Sequence, residues 1–198
     1  YRRESSIIHP PVETRRFRPS TERDDYYLIV SRLIPYKRID LAVRAFNRLG
    51  LPLVIAGDGR DRDALEALAG PRVSFLGYVP DEELPGLFAR CRAYVLPGEE
   101  DFCIAPVQAQ AAGRPVIAYG AGGALDTVIA GETGTFFDEQ TPDALAHAVR
   151  TFDPSTIDPD ACRVNAERFS AEIFCEKLDH FIREQMARTV AREASSEM

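Results

Sequence analysis

The sequence predicts an α/β fold, a doubly wound parallel sheet, on three observations. Short apolar runs without polar alternation recur along the chain, as expected of strands buried on both faces. Segments with apolar residues at helical spacing separate them, and the connections leave room only for β-α-β crossovers. Finally, 198 residues with 45% hydrophobic and 28% charged content suit one globular domain, or a large and a small one. That composition excludes disorder and collagen-like order.

The elements follow in order. Ser5–Val12 is expected as a strand entering from outside the domain, and Glu13–Asp25 as a charged linker. The first core strand is Tyr26–Val30, followed by a helix at Arg38–Leu49. Its stripe of Ile39, Leu41, Ala42, Ala45, Phe46 and Leu49 stops at Gly50-Leu51-Pro52. Strand Leu53–Ala56, helix Asp61–Ala69 and strand Val73–Leu76 come next. The helix expected at Asp81–Arg90 opens with acidic residues, which complement a helix N-terminus. Strand Ala93–Leu96 precedes helix Ala105–Ala112, which closes at Gly113 in the C′ position before Pro115. Strand Val116–Tyr119 follows, and Thr141-Pro142 opens a helix at Asp143–Arg150, with Pro at the first helical position. Beyond the Asp153–Pro159 loop, a short helix is expected at Ala161–Phe169. Ser170 can then cap a longer one, with Phe169 and Phe174 as a hydrophobic staple. That last helix carries a stripe of Ile173, Phe174, Leu178, Phe181, Ile182 and Met186, and the polar tail beyond Arg188 is expected to fray. The resulting division is 1–25 as entering strand and linker, 26–160 as the Rossmann-like domain, and 161–198 as C-terminal helices and tail.

Charge and cysteine usage narrow the function classes. Lys and Arg number 24 against 31 Asp and Glu, a formal net charge of −7. That argues against nucleic acid as a partner, since neutralising phosphates needs a basic surface. No apolar run is long enough to span a membrane, and no signal peptide is visible. The chain opens on Tyr1 and reads as part of a longer polypeptide. Cys91, Cys103, Cys162 and Cys175 form no C-x-x-C pair, and His9, His147 and His180 are scattered, so no metal site is expected. Reduced thiols of a cytoplasmic protein are the simplest reading.

In an open parallel sheet, ligands bind beyond the carboxyl ends of the strands. Ser31–Arg38 lies there, at the mouth of a helix. Arg32 and Lys37 with the helix amides would make a diphosphate cradle; the alternative is a solvated basic turn. Gly57-Asp58-Gly59 follows the second strand, but Arg62 breaks a G-x-G-x-x-G fingerprint, which disfavours an oxidoreductase. Glu99, Glu100 and Asp101 crowd the end of the fourth strand, before a helix carrying Gln108. They could bind sugar or ribose hydroxyls, or form a solvated loop. Gly120–Gly123 could present backbone N–H groups to a ligand, or form a flexible turn.

Together these segments resemble one family. VSRLIPYKRIDLAVRAF, LVIAGDG, VSFLGYVPDEEL, YVLPGEEDFCIAPVQAQAAGRPVIAYGAGGALDTV and ETGTFF stand in the order found in retaining group 1 (GT4-like) glycosyltransferases. The likeness is to the C-terminal, donor-binding half of their GT-B fold, and closest to mannosyltransferases that use GDP-mannose in polysaccharide or glycolipid assembly. It implies transfer of a hexose, mannose in that subgroup, from a nucleoside-diphosphate sugar to an acceptor hydroxyl with retention. GDP-mannose is the donor implied first and a UDP-sugar next, with no other cofactor. Arg32, Lys37 and Glu100 would be the catalytic groups, the two cations on the diphosphate and Glu100 on the sugar. Gly57, Tyr78, Val79 and Asp81 would meet the nucleotide. The Phe102, Cys103 and Ile104 backbone would lie along the sugar and diphosphate, and Gln108 would take the ribose position of the E-x7-E motif. The acceptor, a glycan or glycolipid, would bind an N-terminal half outside this chain. The whole protein would then sit in the cytoplasm, peripheral at the membrane face, with this chain alone inactive. Its last helix would cross back to that half.

Two positions depart from the pattern. Gln108 stands where the motif has a second Glu, and its amide offers one oxygen acceptor instead of a carboxylate. Cys103 stands where the pattern has Gly, adding a side chain at a close backbone approach. The second reading is therefore a non-catalytic nucleotide-sugar-binding module. A Cys103 nucleophile would need a base, and no His lies beside it in sequence.

Overall fold

The computed structural model describes the backbone of residues 5–196 and the side chains of residues 5–188. Six parallel strands form one sheet: β1 (Tyr27–Val30), β2 (Leu53–Ala56), β3 (Val73–Gly77), β4 (Tyr94–Leu96), β5 (Val116–Tyr119) and β6 (Gly134–Phe137). Their order is β3-β2-β1-β4-β5-β6, so the direction of strand addition reverses between β1 and β4. In register, Leu28 of β1 pairs with Val54 of β2 on one side and Tyr94 of β4 on the other. This is the predicted doubly wound sheet.

Helices cover both faces, as parallel strands require. On one side, Ile29, Ile55, Val95 and Ile117 pack with α1 (Ile39–Leu49), α2 (Arg62–Leu68) and α6 (Pro142–Thr151). On the other, Leu28, Tyr94, Leu96, Val116 and Ala118 pack with α3 (Leu84–Arg90), α4 (Ile104–Ala111), α5 (Ala124–Thr127) and α7 (Pro159–Glu167). Neighbours Leu28 and Ile29 thus feed opposite cores, the period-two consequence of an extended strand. The α1 stripe is spent entirely on this packing: Leu41, Ala42, Ala45 and Phe46 are fully buried.

Several expectations need correction. Ser5–Val12 is not a strand; its one bridge joins Val12 to Ser170. Pro10 and Pro11 lack the N–H groups a ladder needs, which accounts for the failure. β6 and α5 were not foreseen as elements. Gly134 opens β6 because a Cβ there would stand 2.1 Å from the Val116 oxygen, so close pairing selects the residue that weakens the strand signal. α1 begins at Ile39, after a 3-10 turn at Pro35–Lys37 that ends with Arg38 in the left-handed region. α3 begins at Leu84; Asp81–Glu83 form a turn ahead of it. The final helix, α8, runs Ala171–Ser196 through the stretch expected to fray, and Glu197 and Met198 lie outside the described residues. Ser170 does cap it, its Oγ accepting from the Ile173 N–H at 3.3 Å. Its apolar stripe stays open: Leu178, Ile182 and Met186 are all exposed.

Two buried polar groups fix the helices that carry the site. The Arg114 guanidinium donates to the Ala89 and Ser20 carbonyl oxygens, tying the linker to the sheet. Burial lowers its pKa from the ordinary value. Asn165 on α7 donates to Gln110 Oε1 at 2.6 Å and to the Thr127 oxygen at 2.8 Å, while Gln110 Nε2 also donates to Thr127. Removing Asn165 would strand the Gln110 oxygen in a dry site. Asn165→Ala should therefore lower the unfolding free energy by about 1–3 kcal/mol, read from urea denaturation with an unchanged slope.

Candidate functional site

The candidate site lies where the strand order reverses, at the carboxyl ends of β1 and β4. Glycines let the loops there approach each other closely. Ser31 and Leu33 donate backbone bonds to Ala56 and Asp58, and a Cβ on Gly57 or Gly59 would collide with the Ser31 or Leu33 carbonyl. Across the reversal, a Cβ on Gly98 would stand 2.8 Å from the Tyr36 oxygen and 2.9 Å from that of Lys37. That contact presses the β4 loop onto the 3-10 turn, and the Lys37 Nζ donates to Glu100 Oε1. Both side chains are largely shielded, with 16% of Lys37 and 12% of Glu100 exposed. Lys37 also sits 5.0 Å from the centre of the Tyr36 ring.

This arrangement changes the predicted cradle in two respects. Lys37 belongs to the 3-10 turn just ahead of α1, with Arg38 between the turn and the helix. Its ammonium is already neutralised by Glu100, whereas Arg32 is exposed and forms no ion pair among the described residues. Glu99 and Asp101 are exposed, so of the acidic run only Glu100 is drawn inward.

The loop bearing Glu100 is held from behind. The Gly123 N–H donates to the Glu100 carbonyl at 2.7 Å, and neither Gly122 nor Gly123 has room for a Cβ against residues 100–102. The glycine-rich turn thus supports the acidic loop. Next comes Cys103, at φ 52° and ψ 113°, a conformation costly for any residue with a Cβ. Its thiol is pushed up to about 11, first by burial and then by the Glu100 charge. A protonated thiol in that setting is a poor nucleophile. No side chain caps α4, which starts at Ile104, and Gln108 lies half-buried on its second turn. No hydrogen bond among the described residues reaches the Gln108 amide.

The remaining predicted residues converge separately. Arg32, Gly57, Tyr78, Val79 and Asp81 line one cavity of about 410 Å³ at the ends of β1, β2 and β3. Tyr78 is 77% exposed there, and the Arg16 guanidinium donates to the Asp81 carbonyl at 3.0 Å, holding the loop. Gly57 lines the cavity, but its N–H is already given to the Gly77 oxygen. A larger cavity of about 520 Å³ lies between α1 and α2 and includes none of the predicted residues. The smaller one stands at the carboxyl edge of the sheet, where ligand sites form in this architecture. Chemically, the site therefore has an apolar-walled slot with a free guanidinium, beside a shielded ammonium–carboxylate pair. Its outer contact, His9 against Phe102, had no local sequence signal, because it joins residues far apart in the chain. Among the described residues, no group of three or more His, Cys, Asp or Glu could hold a metal ion.

Solved structures place this architecture in the GT-B glycosyltransferase class. Sucrose-phosphate synthase from Thermosynechococcus elongatus superposes with a TM-score of 0.82 at 25% identity, over 92% of this chain and 53% of that one. Anabaena HepE in complex with UDP gives 0.79 at 21% identity, over 90% of this chain and 57% of that one. More particularly, the chain belongs to the glycosyl transferases group 1 family, whose sequence profile matches residues 12–169. A GDP-mannose-dependent alpha-mannosyltransferase of Mycobacterium tuberculosis is 38% identical over 126 residues, 61% of this chain and 33% of that protein. A GDP-mannose-dependent alpha-(1-6)-phosphatidylinositol monomannoside mannosyltransferase of Mycolicibacterium smegmatis is 32% identical over 172 residues, 72% of this chain and 45% of that protein. The chain thus spans less than half the length of these curated relatives.

The Cys103 backbone makes a testable claim about strain. Cys103→Gly and Cys103→Ala both remove the thiol, so the difference between them isolates the conformation. Elsewhere Ala is the more stable of the two; here Cys103→Gly should be the more stable by about 1 kcal/mol in denaturant unfolding. The reverse order would mean that the turn is unstrained.

Proposed function

We propose that this chain is the donor-binding half of a retaining mannosyltransferase that takes mannose from GDP-mannose. The observation that carries the reading is the shielded Lys37–Glu100 pair at the strand-order reversal, with the unpaired Arg32 beside it. The donor diphosphate would lie between Arg32 and Lys37, whose charges would stabilise the leaving nucleoside diphosphate in place of a divalent ion. Lys37 has three donor hydrogens, so one can stay on Glu100 while another meets a phosphate oxygen. Glu100 keeps lone pairs for sugar hydroxyls. Ligand binding then exploits charges that the fold has already desolvated and aligned.

The base would occupy the cavity against Tyr78, Val79 and Asp81, the Phe102–Ile104 backbone would follow the sugar, and Gln108 would reach the ribose. Similarity to the two mannosyltransferases supports mannose and guanine, and the UDP complex among the structural neighbours supports a nucleoside diphosphate in this fold. In this reading residues 26–160 form the donor unit and residues 1–25 lead into it. Residues 161–198 return toward an acceptor-binding half that this chain does not span. The open α8 stripe supports that return. The acceptor would be a glycan or glycolipid met at the cytoplasmic face of the membrane, and the chain alone would bind donor without transferring sugar. Among the described residues, no helix is long and apolar enough to cross a membrane.

A second reading, a nucleotide-sugar-binding module without catalysis, is favoured by Cys103 and Gln108, both at positions that would touch donor. Donor hydrolysis or transfer by the protein containing the acceptor half separates the two.

Three substitutions test the site by calorimetry with GDP. Arg32→Ala should weaken binding by about 1.5–3 kcal/mol, the range for charged hydrogen bonds, while guanosine binding barely changes. Equal losses for both ligands would mean damage to the fold. Lys37→Ala should cost at least as much, because it also leaves the Glu100 carboxylate unpaired against the phosphates. Gln108→Glu should strengthen GDP binding about fivefold by turning a neutral acceptor into a charged one. A 2′,3′-dideoxy nucleotide should bind both forms alike; an equal gain for it would remove Gln108 from the ribose site.

A further inference from the structure

His9 lies in the irregular segment ahead of β1, yet its ring reaches the candidate site. It stacks on Phe102 at 5.4 Å between centroids with 30° between planes, and meets Phe169 edge-on at 5.5 Å. Phe102 and Phe169 are themselves 5.5 Å apart, so the three rings form a closed trio. Beyond the trio, His9 Nε2 lies 3.3 Å from Asp126 Oδ2 on α5, and the Arg168 guanidinium covers Phe169 at 5.3 Å. The segment carrying His9 is anchored just downstream. The Val12 N–H donates to the Phe169 oxygen at 2.8 Å, and Thr14 Oγ1 donates to Glu167 at 3.0 Å.

We propose that His9 is a positioning residue for the Phe102–Cys103 turn, its stacked ring holding the backbone that presents Glu100 and the start of α4. Such a turn needs an external hold. Cys103 occupies a conformation that persists only where its surroundings over-determine it. On one flank α4 is fixed by the Gln110–Asn165 bonds, and the Glu100 carbonyl is held by Gly123. Phe102 is the remaining flank: it packs against the core and is held on its other side by the ring trio. Stacking carries the hold more than the bond to Asp126, whose side chain is 54% exposed and therefore well solvated. The consequence for ligand binding rests on the donor-site reading above: losing His9 should loosen the sugar side of the site and spare the diphosphate side at Arg32.

Alkylation of Cys103 reads the turn directly, whether or not any nucleotide binds. Rates of iodoacetamide modification are measured for each cysteine by peptide mass spectrometry in wild type, His9→Ala and His9→Phe. Cys91 and Cys162 are buried, so they report general loosening. His9→Ala should label Cys103 about fivefold faster, the equivalent of one aromatic contact, while His9→Phe restores the wild-type rate. Cys91 and Cys162 should not change. An unchanged Cys103 rate in His9→Ala, failure of His9→Phe to restore it, or a parallel rise at Cys91 and Cys162 would overturn the positioning role. Calorimetry supplies the second arm: His9→Ala should bind GDP-mannose about fivefold more weakly with GDP affinity kept within about twofold. Equal or absent losses would overturn the link to the sugar side. If wild type binds neither ligand, the donor reading fails, and the Cys103 rates alone decide the role of His9.

Discussion

The ion pair between Lys37 and Glu100 joins the two halves of the sheet at the place where strand order reverses. Its members come from the turn after β1 and the loop after β4, and burying them both costs desolvation that only close, well-satisfied geometry offsets. Much of the local backbone serves that geometry. Gly98 brings the β4 loop against the Tyr36 and Lys37 carbonyls, while Gly57 and Gly59 seat the β1 loop against β2. Adding one Cβ at any of these points would push the loops apart and leave a shielded charge without its partner.

The same loop also carries a strained residue. Cys103 takes a positive φ between a carboxylate that must face inward and a helix that must start at Ile104. Its neighbours supply what the residue itself lacks: Gly123 behind Glu100, the ring trio beside Phe102, and the buried Gln110–Asn165–Thr127 network behind α4. A site on a loop becomes precise when rigid elements hold each of its flanks, and here α4, α5 and α7 do so. The raised pKa of the Cys103 thiol follows from the same enclosure, since burial and the Glu100 charge both oppose thiolate.

The site divides into two regions with different physics. Around Tyr78 the surface is an open, apolar-walled slot with one free guanidinium. Around Glu100 it is a shielded pair of opposite charges. Arg32 lies in the first region and Lys37 in the second, so a ligand bridging both would span the reversal.

The sheet and most helices were legible in the sequence because each depends on local pattern: unbroken apolar runs for β1, β2 and β5, and a 3.6-residue stripe for α1. So was the position of Arg32, Lys37 and Glu100, because the ends of parallel strands fall on one edge of the sheet. What local pattern lacked was decided by packing. β6 hid behind Gly134, a residue chosen for contact with Val116. Pro10 and Pro11 turned an apolar segment away from the sheet, and the ring contacts of His9 then gave it a place. The pairing of Lys37 with Glu100, the isolation of Arg32 and the strain at Cys103 are likewise tertiary. They arise where segments distant in the chain are forced together, and charge, stacking and φ at such points answer to neighbours that no sequence window contains.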